Sequence, residues 1–455
     1  MHRASAALVE ACARRRRAFA DRLGGHSALV PAGAAAPRNY PANTWPYRPS
    51  SHFWYLIGEG VEGAWLIVDP SGATLYARAP DADDALWHGP TEPLDALAER
   101  LGLPVRPLEA LPAAVSERTL GVLAAQDPVT TARTLELVPT AEPEANAAVA
   151  QAMIDTRLVH DAQAIAGLTE AAEATVAAHV AGMSATRPGM GEWVVTAEMV
   201  AALGRRRCTT SYGPIVSVHG EVLHNHHHDN IMQAGDLLLV DVGAETADGW
   251  AGDVTRTWPV SGQFSPTQKA IYEVVLASQL AAIDTARVGV RYRDVHLEAA
   301  RVLTAGLVDL GILKGDVDTL VADDVHALFF PHGVGHLLGL DVHDMEDLGD
   351  AAGYAAGRVR SDRFGLGFLR LDRDLQAGMA VTIEPGFYQV PAILNDAART
   401  AIAGDRLDRT VLAKFADVRG IRIEDDILIQ AAGAPKVLTA GAPKTVGDVE
   451  TAVGQ

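Results

Sequence analysis

The chain has 455 residues, of which 48% are apolar, 21% charged and only 5% aromatic, and its 57 acids outnumber its 38 bases to leave a formal charge of −19. This composition excludes disordered, collagen-like and disulfide-scaffold classes. It also argues against a nucleic-acid partner, because affinity for a phosphate backbone comes from Lys and Arg displacing counterions.

At roughly 100–200 residues per domain, the length predicts two to four domains. Cys12 and Cys208 read as free thiols in a reducing compartment. The N-terminus has no apolar run of signal-peptide length, and no stretch of about 18 apolar residues escapes a charge or a Gly/Pro break. The expectation is a cytoplasmic protein with no membrane partner.

In chain order, Arg14–Arg17 reads as the wet face of a first helix, with Ala18, Phe19 and Leu23 on its inner side. Ser27–Val30, Ala64–Asp69, Thr74–Ala77 and Leu120–Leu123 read as buried strands, and Leu94–Leu101 as a helix closed by Gly102. Trp45, Trp54 and Trp65 read as packing residues. These elements predict a small α/β domain over residues 1–143, with the Pro- and Glu-containing stretch Pro139–Glu144 as its boundary. Residues 144–455 then form a second, mixed α/β domain. It opens with Ala-rich helix from Ala145 to Ala185, broken by Arg187-Pro188-Gly189, and carries helices near Pro266–Ala286 and Tyr292–Leu310. Residues 391–419 form a charged insertion, too long for a turn, that predicts a helix of its own.

The residues that carry chemistry lie in this second part. Asp236-Leu-Leu-Leu-Val-Asp241 reads as a buried strand with a carboxylate inside it, which must be paired, hydrogen-bonded or metal-bound. After the turn-like Ala247-Asp248-Gly249 comes Gly252-Asp253-Val-Thr-Arg256, so a hairpin sets Asp241 beside Asp253. A cation between them, or a pairing with Arg256, satisfies that arrangement. Phe329-Phe-Pro-His332-Gly-Val-Gly-His336 has two histidines four apart, but Gly333 stands where a helical zinc-protease motif needs Glu. His343 follows in Gly339-Leu-Asp-Val-His343. Two more strands supply Glu384, in Thr382-Ile-Glu384-Pro-Gly, and Glu424, in Gly420-Ile-Arg422-Ile-Glu424. Together Asp241, Asp253, His336, Glu384 and Glu424 offer four carboxylates and one imidazole. Two divalent cations neutralise such a set, and its oxygen-rich character favours Mn²⁺, with Co²⁺ or Zn²⁺ as substitutes.

These motifs, in this order, resemble the pita-bread metallopeptidase family of methionine aminopeptidase, aminopeptidase P, prolidase and creatinase. The resemblance covers roughly residues 150–435 and implies a pita-bread catalytic domain behind the small α/β N-terminal domain. It implies that Asp241 chelates one ion, Asp253 and Glu424 bridge both, and His336 and Glu384 hold the second. Glu384 also serves as proton shuttle for a metal-bridging hydroxide that attacks the scissile carbonyl. His224, His332 and His343 match the histidines that line the substrate and assist catalysis. The spacing from Asp241 to Asp253 is one residue longer than this family leads one to expect, a difference the hairpin turn can absorb.

Tyr47–Gly58 resembles the N-terminal domain of aminopeptidase P and prolidase. The segment around Leu369-Arg370 and the insertion before Gly420 resemble prolidase. That likeness implies Xaa-Pro dipeptides as substrate, with Arg370 gripping the terminal carboxylate, Arg422 also among the substrate-binding residues, and a homodimer. A surface salt bridge from Arg370 to Asp372 or Asp374 is the bland alternative. Aminopeptidase P, acting on longer Xaa-Pro peptides, is the second reading, and a non-catalytic binding module the third. The triplet His226–His228 is expected to be solvent-exposed loop.

Overall fold

The computed structural model describes residues 3–454 apart from Ala82, Pro90 and Ala141. It divides into two compact units, Met1–Gln163 and Ala164–Gln455. Ala141 of the Pro139–Glu144 stretch lies outside the described residues. The division falls beyond that stretch because helix Pro143–Arg157 packs on the first helix and on strand Leu120–Val122. Pro143 is the first residue of that helix, so it starts an element of the first unit.

The first unit is built on a mixed five-stranded sheet. Ser27–Pro31 lies between Trp65–Asp69, antiparallel to it, and Leu120–Val122, parallel to it. Gly72–Ala77 and Val105–Pro107 extend the other edge. Leu29, Trp65, Ile67, Tyr76, Leu111 and Val115 form the core of one face. Helix Leu94–Leu101 ends at Gly102, whose φ of 63° is the left-handed cap that glycine adopts without strain.

The first helix, Ala6–Arg22, differs from the expectation. Arg14 and Arg17 are exposed, but Arg15 and Arg16 are buried. Arg15 makes two 2.9 Å bonds to Asp161 and stands over the Tyr55 ring, while Arg16 donates to the Leu56 and Leu101 carbonyls at the ends of two helices. A guanidinium can be buried where carboxylates and helix C-termini meet its charge. Trp65 is buried and Trp54 half-buried, whereas Trp45 is 55% exposed, with Arg38 over its ring, and is not a core residue.

In the second unit, helices Ala162–Ala185, Glu192–Arg205, Pro266–Thr285 and Tyr292–Asp309 surround short antiparallel sheets. Pro266–Thr285 begins with a capping box between Ser265 and Gln268. Leu237–Asp241 is the middle strand of a sheet with Thr255–Pro259 and Ile215–Ser217. Ala380–Ile383 pairs with Asp425–Leu428, and Gly386–Tyr388 with Gly420–Arg422. Residues 391–419 fold into short helical turns instead of one helix, among them Pro391–Leu394, Ala397–Thr400 and Arg409–Leu412. Both cysteines are free and buried. Among the described residues, no helix is long and apolar enough to cross a membrane.

Candidate metal centre

The buried run Leu237–Val240 delivers Asp241 to the end of its strand, opposite Thr255 in the register. The chain then returns through a loop in which two backbones nearly touch. A Cβ on Gly243 would lie 1.8 Å from the Gly252 carbonyl oxygen, so only glycine fits there. The close approach brings Asp253 next to Asp241. The Tyr212 hydroxyl reaches both, with a short bond to Asp241 and a distance of 2.5 Å to Asp253 Oδ1. It has one proton, so it can serve only one carboxylate at a time.

Three residues close the site from the other side. His336 lies in a glycine-rich loop pressed against strand Ala380–Ile383. Its backbone N–H donates to Thr382 Oγ1 at 3.2 Å and its Nδ1 stands 2.9 Å from the Leu337 carbonyl. That carbonyl holds the proton on Nδ1, so Nε2 presents a lone pair, 3.4 Å from Asp253 Oδ2 and 3.7 Å from Glu384 Oε1. Glu384 directly follows strand Ala380–Ile383 and Glu424 directly precedes its partner Asp425–Leu428, so the ladder sets these two carboxylates near each other. Glu424 Oε2 accepts from Thr255 Oγ1 at 2.7 Å, whereas its Oε1 is buried with no hydrogen-bond partner. Asp253, His336 and Glu424 each bring a ligand atom within 4.8 Å of the others.

The electrostatics are those of an under-neutralised acidic pocket. Burial, and then the neighbouring Asp241 charge, pushes the Asp253 carboxyl well above the carboxylate range, and burial with Asp253 does the same to Glu424. Burial raises Glu384 to about 7. One guanidinium, Arg422, stands among these acids. It donates to Asp241 Oδ2 at 2.6 Å, Thr255 Oγ1 at 2.9 Å and Tyr388 at 3.0 Å. Arg256 does not pair with Asp241 or Asp253, since it is committed to Asp425 at 2.8 Å and to backbone carbonyls. Clustered carboxylates, a lone-pair imidazole and an orphaned carboxylate oxygen fit divalent cations well.

The remaining predicted residues lie around this cluster in different settings. His332 Nδ1 is 3.9 Å from Glu384 Oε2 and its Nε2 is 2.9 Å from the Tyr388 hydroxyl. Burial and Arg422 lower its pKa to about 3. His343 packs edge-on against His336 at 4.3 Å between ring centres. His224 is exposed, and its pKa is lowered by burial of part of its ring and by Arg422. Arg370 pairs with Glu346 at 2.7 Å, not with Asp372 or Asp374, and its charge is felt by His224, His332 and His343. Arg422 is 3% exposed with its donors committed inside the protein, behind Asp241. His226 and His227 are exposed and His228 half-buried.

Sequence reasoning did not single out Tyr212, Thr255, Thr382, Tyr388 or Asp426. Asp426 is fully buried, with Oδ2 accepting the Asp253 backbone N–H at 3.0 Å. Its place directly before the apolar run Ile427-Leu428-Ile429 was the one available signal.

Comparison with known proteins finds matches to both units. Residues 166–431 match the model of metallopeptidase family M24, and residues 12–121 match the aminopeptidase P N-terminal domain. The Xaa-Pro aminopeptidase of Escherichia coli K12 is 34% identical over 465 aligned positions, covering 96% of each chain. The human Xaa-Pro dipeptidase is 40% identical, but over 233 positions that cover 50% of this chain and 45% of that one. The structure of Pseudomonas aeruginosa aminopeptidase PepP superimposes with a TM-score of 0.82 at 31% identity, covering 98% of this chain and 97% of that one. The mixed α/β fold of the second unit is the pita-bread fold, and its family implies divalent metal ions. The chain belongs to metallopeptidase family M24 and, with the N-terminal domain that precedes its peptidase unit, to the aminopeptidase P family within it.

Proposed function

We propose that the protein is a metal-dependent Xaa-Pro aminopeptidase that releases the first residue of peptides with proline in second position. The observation that carries this reading is the similarity to Xaa-Pro aminopeptidase over 96% of both chains, against half-length similarity to the dipeptidase. It takes precedence over the Xaa-Pro dipeptide specificity that the segment around Arg370 suggested. Arg370 is already paired with Glu346, so a carboxylate clamp at that position has a competitor.

In this proposal Asp241, Asp253, His336, Glu384 and Glu424 hold the ions, with Mn²⁺ favoured by the oxygen-rich donors. Bound ions would supply Lewis acidity and an activated water. The protein's own groups do the rest. Glu384, with Oε1 3.7 Å from His336 Nε2 and Oε2 3.9 Å from His332 Nδ1, stands where it can take a proton from the attacking water and return it to the leaving proline nitrogen. His332 stays neutral and bonded to Tyr388, so that it can orient a peptide without adding charge. Arg422 is a positioning residue that aims Asp241, and Tyr212 spaces Asp241 from Asp253.

The test is to supply Mn²⁺ and offer Xaa-Pro and Xaa-Pro-Yaa peptides in parallel. Release of free Xaa from the tripeptide, at a kcat/KM well above that for the dipeptide, is expected. Cleavage confined to the dipeptide would restore the dipeptidase reading.

A further inference from the structure

Residues 218–230 form the loop that carries His224 and the triplet His226–His228, and both ends of this loop meet at one buried side chain. Glu192, the first residue of helix Glu192–Arg205, is 0% exposed. Its Oε1 accepts the Val218 backbone N–H at 2.7 Å and its Oε2 accepts the Asn230 backbone N–H at 3.2 Å. The Asn230 side-chain amide lies 3.1 and 3.0 Å from the same two oxygens. Among the described residues no Lys or Arg pairs with this carboxylate. Charge-assisted N–H bonds and the positive end of its own helix make its burial tolerable.

Between its ends the loop is tacked to strand Gly420–Arg422. Gly220 packs on Gly420 so closely that a Cβ on Gly420 would fall 2.2 Å from the Gly220 oxygen. Beside it, Arg419 Nε donates to Glu221 Oε2 at 2.9 Å. Leu223 then packs on Ile215, Leu239 and Tyr388, which lie under the site. His224 is the next residue, so its place is fixed by fastenings on its N-terminal side and by Glu192 at both ends.

We propose that Glu192 is a positioning residue of the peptidase site, whose buried carboxylate holds both ends of the 218–230 loop and thereby sets where His224 stands relative to the carboxylate cluster. This rests on the reading of His224 as a substrate-facing residue. Glu192 acts at a distance, through the loop backbone, and touches none of the candidate metal ligands.

A double-mutant cycle tests it, using the full-length, metal-loaded protein with an Xaa-Pro-Yaa substrate. Kinetic constants, metal content and thermal midpoint are measured for Glu192→Ala, Asn230→Ala, His224→Ala and the paired variants. Glu192→Ala should lower kcat/KM by about 10- to 100-fold, the scale of a misplaced active-site group, with metal content unchanged. Asn230→Ala removes only the side-chain bonds at one end and should act in the same direction, more weakly. In the His224→Ala background each should cost less than about two-fold more. Losses that multiply with that of His224→Ala, loss of metal together with activity, or a fully active Glu192→Ala would overturn the inference. If Glu192→Ala does not fold, the Asn230→Ala cycle decides on the same criteria. An inert His224→Ala would remove the role of His224 itself, an outcome distinct from failure of the cycle alone.

Discussion

Replacing Arg256 with Met should cost the second unit about 3–5 kcal/mol, the scale for breaking a buried ion pair on one side. Arg256 and Asp425 are both fully buried, 2.8 Å apart. The guanidinium also donates to the carbonyls of Thr255 and Pro443 at 3.0 Å and to that of Glu424. Methionine refills the apolar volume but leaves these acceptors without a donor. Asp425 keeps Lys444 at 2.7 Å, Gln279 at 2.7 Å and Thr439 at 2.8 Å, which places the cost toward the lower end of that range. For a unit of this size, about 2–4 °C of thermal midpoint per kcal/mol gives a fall of roughly 10 °C by calorimetry. Lys444→Met is the control. Its side chain is 19% exposed, and it should cost about 1 kcal/mol. Equal losses in the two variants would refute the claim that Arg256 is the principal partner of Asp425.

Glu424→Gln should weaken binding of divalent cations by at least about ten-fold in calorimetric titration of the metal-free protein. It should not lower the thermal midpoint of that metal-free protein, because burial and Asp253 already disfavour the charged form of Glu424, its Oε1 has no partner, and glutamine keeps an oxygen for Thr255. His296 and His326 are fully buried, and burial depresses both pKa values, that of His326 to about 4. Their depressed folded-state pKa values mean that their stability contribution is present above about pH 6.5 and is lost as pH falls toward 4. Between pH 6.5 and 5, His326 should therefore cost roughly 2 kcal/mol, and His326→Phe should flatten the stability–pH curve by that amount in denaturant titrations. In the first unit, Arg15→Ala should cost about 2 kcal/mol by loss of the buried guanidinium and its part-exposed pairing with Asp161, while Arg14→Ala should stay within about 0.5 kcal/mol.

The contrast between Arg14 and Arg15 shows where a sequence is legible and where it is not. A run of four arginines looks like a solvated face, because periodicity alone cannot tell that Asp161 and two helix C-termini will meet two of them. Asp241, Asp253, Glu384 and Glu424 stand out for the opposite reason. A carboxylate set in or against an apolar strand segment has few inexpensive explanations, so its residue type and surroundings announce it. The strands beside these acids were legible on the same apolar pattern, with Asp241 closing one, Glu384 directly after another and Glu424 directly before a third. Thr255 and Asp426 were hidden, since their roles depend on bonds to Glu424 and Asp253 across 169 and 173 residues of sequence. Tyr212 lies in a turn and carries no periodic signal at all. Residues 391–419 were rightly seen as structured, but their Pro391, Asn395 and Gly404 divide them into short turns.

The central claim, a divalent-metal aminopeptidase for Xaa-Pro peptides, is tested most directly by one measurement. Release of the N-terminal residue from Xaa-Pro-Yaa is followed before chelation, after chelation and after Mn²⁺ is restored. Activity that disappears on chelation, returns with Mn²⁺ and exceeds activity on the Xaa-Pro dipeptide is the predicted result. Hydrolysis that survives complete removal of metal, or none at all with two ions bound, would contradict it.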